Sequence, residues 1–425
     1  MNINLLNNKR VAILGLGLEN LALINYILKH KIKCEITVCD AREDVKAKHA
    51  WIPACAGMTR IGWQLGKNYN KNLDKFDILF RSPGWPMSGA KSTNSPMRLF
   101  FELSPSKNII GVTGTKGKGT TASLIYEILR AAGKRVWLGG NIGVAPFDFI
   151  DKIKKTDWVV LELSSFQLED MTVSPHIAVI TNFYSEHLAP ADPNNPNYHK
   201  SLKDYRDAKL NIIRWQRSGD EAVLNYKLNV KAKKVYFKKS ELPSKLIGEH
   251  NKENIAAAVE VAKIVGVKPE IINKTVASFK GLEHRLELVR EYQGIKYYDD
   301  SFATTPESTM IALKSFNQPV IILLGGADKK SDFSQLAEEV KKRCKFVVLL
   351  NGQATPKIKK ELLKIKFAEN KMKLVNNIKD AVAVARRQAE TNDIILLSTA
   401  CASFGMFKNY KERGRLFKVE VKSLK

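Results

Sequence analysis

No apolar run in the 425 residues approaches the roughly 20 needed to cross a bilayer, which argues against an integral membrane protein. Cysteine is scarce. Cys34, Cys39, Cys55, Cys344 and Cys401 are odd in number and include no C-x-x-C pair, so neither a disulfide framework nor a thiolate metal site is expected. That usage fits a reducing cytoplasm. The N-terminus leads directly into the glycine-bearing stretch Val11–Gly17, which fits a cleavable signal peptide poorly. Acidic residues are in deficit: 43 against 69 lysines and arginines, a net charge of +26. Such a field attracts nucleic acid, anionic membrane or phosphorylated small molecules and says nothing of fold. The lysines, however, are scattered among acids, as in Glu338-Glu-Val-Lys-Lys-Arg and Lys359-Lys-Glu. There is no basic stripe interleaved with aromatics, so solvated faces are expected, and a nucleic-acid-stimulated ATPase is the minor reading.

What is present is ordinary globular material, 44% apolar and 26% charged. At roughly 150 residues per domain, the length suggests about three domains. Strand and helix patterns alternate: strands at Arg10–Leu14, Glu35–Cys39 and Phe76–Phe80, with helical spacing over Asn20–Lys29. A second set of strands is expected at Asn108–Thr113, Trp158–Leu163 and His176–Thr181, and a third at Val320–Leu324, Phe346–Leu350 and Asp393–Leu397. This order predicts an α/β fold of parallel, doubly wound sheets, divided near Pro96 and Gly281 into 1–96, 97–281 and 282–425. One stretch has no clean period. His49–Trp63, with Trp51-Ile-Pro-Ala-Cys-Ala-Gly-Met-Thr-Arg, resembles a peptide encoded by dispersed bacterial repeat DNA and reads as an inserted surface segment.

Gly111-Val-Thr-Gly-Thr-Lys-Gly-Lys-Gly-Thr-Thr follows a strand and opens a helix. In that setting backbone N–H groups and a helix N-terminus form an anion cradle, Lys118 reaches the outer phosphates and a hydroxyl at the helix start holds Mg²⁺. Gly119 stands where Ser or Thr usually follows the lysine, and Thr120 and Thr121 supply hydroxyls just beyond it. Nucleotide binding is the stronger reading, a ligand-free glycine turn the weaker. Gly15-Leu-Gly-Leu-Glu-Asn, with Asn20 in place of a third glycine, is equally a tight turn or a pyrophosphate site, and Asp40 lies where a ribose-binding acid would. Glu162 closes a strand in Leu161-Glu-Leu-Ser-Ser-Phe-Gln-Leu-Glu, where an acid can serve Mg²⁺ or simply be solvated. His187, in Thr181-Asn-Phe-Tyr-Ser-Glu-His, follows the next strand, so a functional role is as plausible as a structural one. Lys209 reads as one more lysine of an amphipathic helix. Arg285, in Gly281-Leu-Glu-His-Arg, can fork onto a phosphate, and Asp299-Asp-Ser-Phe-Ala-Thr-Thr-Pro has the chemistry of a capped loop.

Taken together with Gly139-Gly-Asn-Ile-Gly, Gly248-Glu-His-Asn-Lys-Glu-Asn and Ala400-Cys-Ala-Ser-Phe, these motifs occur in one order from Gly15 to about Phe417. In this the chain resembles the Mur ligases, most closely those of the D-glutamate-adding branch. The Leu161–Glu169 and Gly139–Gly143 strings are specific to that branch, whereas the phosphate loop is shared with sister ligases and folylpolyglutamate synthases. The resemblance implies a Rossmann-like N-terminal domain for a UDP-sugar, a central ATPase domain and a Rossmann-like C-terminal domain. It implies an ATP-dependent ligase of peptidoglycan synthesis, a cytoplasmic monomer acting on UDP-N-acetylmuramoyl-L-alanine and D-glutamate, without nucleic acid or membrane insertion. A sister ligase or a folylpolyglutamate synthase with another acceptor is the nearest alternative.

Carried over residue by residue, Gly114, Thr115, Lys116, Gly117, Lys118, Gly119, Thr120 and Thr121 would hold ATP with Asn254, Arg285 and Asp300. Thr120 and Glu162 would hold one Mg²⁺; His187 and Lys209, the latter as a carbamate, a second. Lys118, Glu162, His187 and Lys209 would form the catalytic set. Leu18, Glu19, Asp40, Arg42, Ser82, Asn141 and Ser164 would bind the UDP substrate. Thr304, Lys329, Ser403, Phe404 and Tyr410 would form the D-glutamate pocket. Besides Gly119, two positions depart from the family pattern: Phe302 replaces a common lysine, and Ala41 a hydroxyl residue beside the uracil.

Overall fold

The computed structural model describes residues 3–52, 55–56, 59–86, 93–184, 197–329 and 331–425. Among them, three α/β sheets follow one another along the chain. The first is built from β1 (Arg10–Leu14), α1 (Leu18–Lys29), β2 (Glu35–Asp40), α2 (Val45–Lys48), β3 (Cys55–Ala56), β4 (Thr59–Leu65), β5 (Ile78–Arg81) and the closing helix α3 (Pro96–Leu103). Its order is β3-β4-β2-β1-β5, parallel except for the β3–β4 pair. β4 corrects the expectation of an inserted surface segment over His49–Trp63 at its C-terminal end, Thr59–Trp63; residues 53–54 and 57–58 lie outside the described residues. Thr59–Leu65 pairs in register with Glu35–Asp40, Ile52 and Ile61 join the core, and the buried Thr59 hydroxyl donates to Ile32 O at 2.6 Å.

The second sheet contains β6 (Ile109–Thr113), α4 (Lys118–Ala131), β7 (Val136–Gly140), β8 (Trp158–Glu162), α5 (Ser165–Leu168), β9 (Ile177–Ile180), α6 (Leu202–Arg214), β10 (Glu221–Leu224) and β11 (Lys233–Tyr236). All its pairs are parallel, in the order β11-β10-β9-β6-β8-β7. α7 (Glu249–Ile264) and α8 (Pro269–Ser278) follow. The third comprises β12 (Glu287–Tyr292), β13 (Ile295–Asp299), α9 (Pro306–Leu313), β14 (Val320–Leu324), α10 (Ser334–Arg343), β15 (Cys344–Leu350), α11 (Thr355–Lys364), β16 (Met372–Val375), α12 (Ile378–Gln388), β17 (Ile394–Leu397) and α13 (Tyr410–Lys422). Its order is β12-β13-β17-β14-β15-β16, with only the β12–β13 edge antiparallel.

The central strands of the second and third sheets are buried at every position, β6 and β14 among them. A parallel sheet covered on both faces has no solvent side, so its strands read as unbroken apolar runs. β14 shows the two faces directly: Val320, Ile322 and Leu324 enter one apolar cluster, Ile321 and Leu323 another. Helix starts follow local chemistry. Ser95 caps α3 with Pro96 at the first position, Ser201 caps α6, and Thr305 caps α9 before Pro306.

Two compact units result: residues 1–242 with 253–276, and residues 243–252 with 277–425. Within the first, one apolar cluster runs through both sheets, carrying Ile27, Phe100, Phe147 and Phe149 together. Two polar ties reinforce it. The fully buried Arg81 guanidinium, on the first sheet, bonds Asp170 at 3.1 Å and Phe166 O at 3.0 Å in the second, and Gln167 Nε2 donates to Glu19 Oε1. No helix among the described residues is long and apolar enough to cross a membrane.

Candidate active site

β6 ends at Thr113 and the chain turns through Gly114-Thr-Lys-Gly into α4, whose first residue is Lys118. Only glycine suits the turn. Gly114 and Gly117 have φ of 144° and 83°, and a Cβ at either would run into Thr181 Oγ1 or Asn254 Oδ1. The loop is cross-braced. Thr115 N donates to Asn182 O at 3.0 Å, Lys116 N to Asn182 Oδ1 at 2.8 Å, and Thr181 Oγ1 to Lys116 O at 2.7 Å. Gly117 offers no side-chain cap, so N–H groups of the first turn remain directed toward the loop; a fourteen-residue helix adds its positive dipole end. Lys118 Nζ donates to Thr115 O at 3.0 Å, folded back over the turn. Thr120 and Thr121 are buried in the first turn of α4, and Thr121 Oγ1 lies 3.5 Å from Asn254 Oδ1 on α7. Asn254 thus meets the loop through both Gly117 and Thr121.

Glu162 ends β8, the neighbour of β6, with Val112 opposite it in register. Its carboxylate, 3% exposed, accepts a hydrogen bond from Asn141 Nδ2 at 2.9 Å, while Asn141 N donates to Glu162 O. On the other flank, Lys209 of α6 is buried, and its ammonium lies 4.6 Å above the Tyr205 ring and donates to Gly114 O at 2.9 Å. Tyr205 OH in turn lies 3.0 Å from Thr115 Oγ1. Lys118, Glu162 and Lys209 therefore gather at the C-terminal edge of one parallel sheet, where such sheets place their ligands. His187 lies outside the described residues.

The other expected residues fall into two groups. In the first sheet, Gly15 (φ 78°) closes over Ser82 at the end of β5. Leu16 N and Arg42 N donate to Asp40, and Arg42 also forks onto it at 2.9 and 2.7 Å. Burial alone would raise the Asp40 carboxyl, but the Arg42 guanidinium and the two N–H donors outweigh it and hold the group below its ordinary range. Leu18 begins α1 and is exposed, while the next residue, Glu19, is buried. Burial pushes Glu19 up to about 7 despite the Gln167 bond. Ser164 caps α5, its Oγ accepting from Gln167 N at 3.2 Å.

In the third sheet, Asp300 follows β13, accepting from Ser398 Oγ at 2.7 Å and Leu286 N at 3.2 Å; burial pushes it up to about 7. Arg285 stands beside it on the 284–286 turn. Ala327 N donates to Ala402 O at 2.9 Å, joining the loops after β14 and β17; these carry Lys329 and the pair Ser403 and Phe404 respectively. Thr304 lies on the loop after β13, to which Tyr410 is tied by the bond from Ser301 Oγ to its carbonyl at 2.8 Å. All five residues expected at the amino acid thus belong to the C-terminal end of this sheet.

Four residues that organise these sites were not singled out from the sequence. Asn182 and Tyr205 brace the phosphate loop, and Arg81 ties the first two sheets. Arg413, buried on α13, donates to Ser301 Oγ at 2.9 Å, Ser301 O at 2.6 Å and Cys401 O at 3.1 Å. An arginine in an otherwise apolar helix stripe is the signal for the last; the other three depend on contacts remote in sequence.

Comparison with known proteins adds the family. Residues 112–236 match the Mur ligase middle domain, and residues 284–401 the glutamate ligase domain of Mur ligases. A UDP-N-acetylmuramoylalanine–D-glutamate ligase of Acetivibrio thermocellus is 39% identical over 99% of this chain and 97% of its own. Relatives of the same name in Ruminiclostridium cellulolyticum and Clostridium botulinum are 36% and 37% identical, each over 98% of this chain and 97% of their own. Among solved structures, the UDP-N-acetylmuramate-alanine ligase of Thermotoga maritima shares the fold, with a TM-score of 0.57 at 16% identity over 98% of this chain and all of that one. A folylpolyglutamate synthase of Mycobacterium tuberculosis does so with a TM-score of 0.56 at 14% identity, over 76% and 93%. Near-full-length identity of this order, with both family models falling on the sheets just described, shows that the chain belongs to the Mur ligases, in the UDP-N-acetylmuramoylalanine–D-glutamate ligase branch.

Proposed function

We propose that this chain joins D-glutamate to UDP-N-acetylmuramoyl-L-alanine at the expense of ATP, as a cytoplasmic monomer in peptidoglycan precursor synthesis. Residues 1–96 would take the UDP substrate, 97–281 ATP, and 282–425 the amino acid. The observation that carries the reading is the β6–loop–α4 turn, with Lys118 on it and Glu162 and Lys209 to either side.

ATP transfers its terminal phosphoryl group to the L-alanyl carboxylate. That transfer releases ADP; the amine of D-glutamate then attacks the acyl phosphate, and the tetrahedral intermediate loses a proton and expels phosphate to leave the amide. Such chemistry asks the protein mainly for positioning and charge neutralisation. The loop N–H groups and Lys118 would hold the β- and γ-phosphates, with Asn254, Arg285 and Asp300 completing the ATP contacts. Glu162 and Thr120 offer a carboxylate and a hydroxyl, oxygen donors that suit one Mg²⁺, and His187 and Lys209 would serve another. Mg²⁺, when bound, offsets phosphate charge. Lys209 fits that role as a carbamate formed with CO₂, since the modification turns a cation into an anionic oxygen ligand. Asp40, Arg42, Ser82, Asn141 and Ser164, with the Leu18–Glu19 turn, would receive the UDP substrate. Thr304, Lys329, Ser403, Phe404 and Tyr410 would receive D-glutamate, Lys329 pairing with a carboxylate.

The test mixes enzyme, ATP, UDP-N-acetylmuramoyl-L-alanine and one candidate amino acid at a time. Phosphate release with D-glutamate alone is expected. Strong preference for another amino acid would return the chain to a sister ligase or a folylpolyglutamate synthase-like acceptor. Lys118→Ala should abolish turnover, and an unchanged rate would remove the phosphate cradle from the mechanism.

A further inference from the structure

Arg285 sits between two non-glycine residues in the left-handed region, His284 at φ 64° and Leu286 at φ 44°. Backbone of that kind persists only where its surroundings hold it. Here His284 N donates to Glu287 Oε2 at 2.9 Å, His284 Nδ1 meets Asp299 Oδ2 at 2.7 Å, and Leu286 N donates to Asp300 Oδ1 at 3.2 Å. The base of Arg285 is thus fixed from both sides. Its long side chain would still sample many rotamers if only the base were held.

Phe302 adds a restraint on the side chain itself. Phe302 N donates to His284 O at 3.1 Å, which sets the two segments side by side. The Arg285 guanidinium carbon lies 3.7 Å from the Phe302 ring centroid, within stacking range. The Tyr410 ring meets the Phe302 ring edge-on at 5.0 Å and 88°, which fixes its plane. Phe302 remains 38% exposed, an aromatic ring at the surface with a cation over its face. A lysine here would bring a second positive charge beside Arg285 in place of a π face.

We propose that Phe302 is a positioning residue: its ring is the platform that holds the Arg285 guanidinium in one orientation for a phosphate of ATP. This rests on the reading of Arg285 as an ATP contact. An exposed to desolvated cation–π contact corresponds to roughly two- to thirtyfold in affinity, and its half-exposed setting points to about fivefold.

The experiment measures KM for ATP and for D-glutamate in the full-length enzyme. Phe302→Leu keeps apolar bulk without the π face and should raise the ATP KM about fivefold, leaving that for D-glutamate within about twofold. Phe302→Tyr, which restores the face, should bring the ATP KM back to within about twofold. In an Arg285→Ala background, Phe302→Leu should add nothing further. Equal effects of Leu and Tyr, a shift in the D-glutamate KM instead, or additivity in the double variant would each overturn the platform. If Arg285→Ala raises the ATP KM but Phe302→Leu does not, only the platform falls. If Arg285→Ala leaves it unchanged, the ATP role of Arg285 falls too.

Discussion

Glu19 places a carboxyl where water does not reach, at the seam of two sheets. Gln167 Nε2 bonds one oxygen, and among the described residues the other has no hydrogen-bond partner. Burial is the dominant cause of its rise from 4.5 to about 7, reinforced by Asp170 and opposed by the Gln167 bond and Arg81. The folded state therefore keeps a proton between about pH 4.5 and 7 that the unfolded chain has released. Stability from this group is complete below the lower value and is lost as pH rises through the upper one. Glu19→Gln keeps the shape without the charge. From pH 5 to 8 the native protein should lose melting temperature relative to that variant, with a ceiling of about 3 kcal/mol. Parallel melting curves across the range would mean that Glu19 stays solvated.

At the scale of elements, the phosphate loop is held from two sides, by the 181–182 segment after β9 and by Asn254 on α7. Gly117→Ala would set a Cβ against Asn254 and force an alanine into a left-handed turn. The expected outcome is at least a tenfold rise in ATP KM. Tyr205→Phe tests the other brace: it deletes the hydroxyl 3.0 Å from Thr115 Oγ1 and leaves the ring under Lys209. One neutral hydrogen bond is worth about 1 kcal/mol, so a roughly fivefold loss in kcat/KM is expected, less than for Lys118→Ala. A Tyr205→Phe enzyme as inactive as Lys118→Ala would mean that the hydroxyl does more than brace the loop.

Much of this was legible in the chain. Buried parallel strands announce themselves as apolar runs, so Arg10–Leu14 and Val320–Leu324 coincide with their expected limits. The loop lysine and the strand-end Glu162 were equally readable, because backbone geometry alone puts them at one sheet edge. Thr59–Leu65 was not. Its place beside β2 is a choice of partner strand made in three dimensions, and Arg60, Gly62 and Gln64 blur the apolar signal that would mark it. The Gln167–Glu19 bond, spanning 148 positions, leaves no local trace at all.

For the whole molecule, the separation into two compact units has a thermodynamic consequence. Each has its own core, one continuous through the first two sheets, the other on both faces of the third. Chains built this way depart from all-or-none unfolding, so calorimetry should resolve two transitions. Substitutions assign them. Glu19→Gln should move only the first unit's transition, and only above about pH 5. Arg413→Met should move only the other. The Arg413 guanidinium is buried deeply enough that desolvation lowers its pKa to about 10, and its three bonds hold the loops after β13 and β17 together. Methionine fills much of the volume but strands buried acceptors at Ser301 and Cys401, at a cost of about 3 kcal/mol. For a unit of this size that is a fall of roughly 10 °C. ATP-loop function should remain measurable below that lowered transition. A single cooperative transition shifted equally by both substitutions would show that the two cores melt as one.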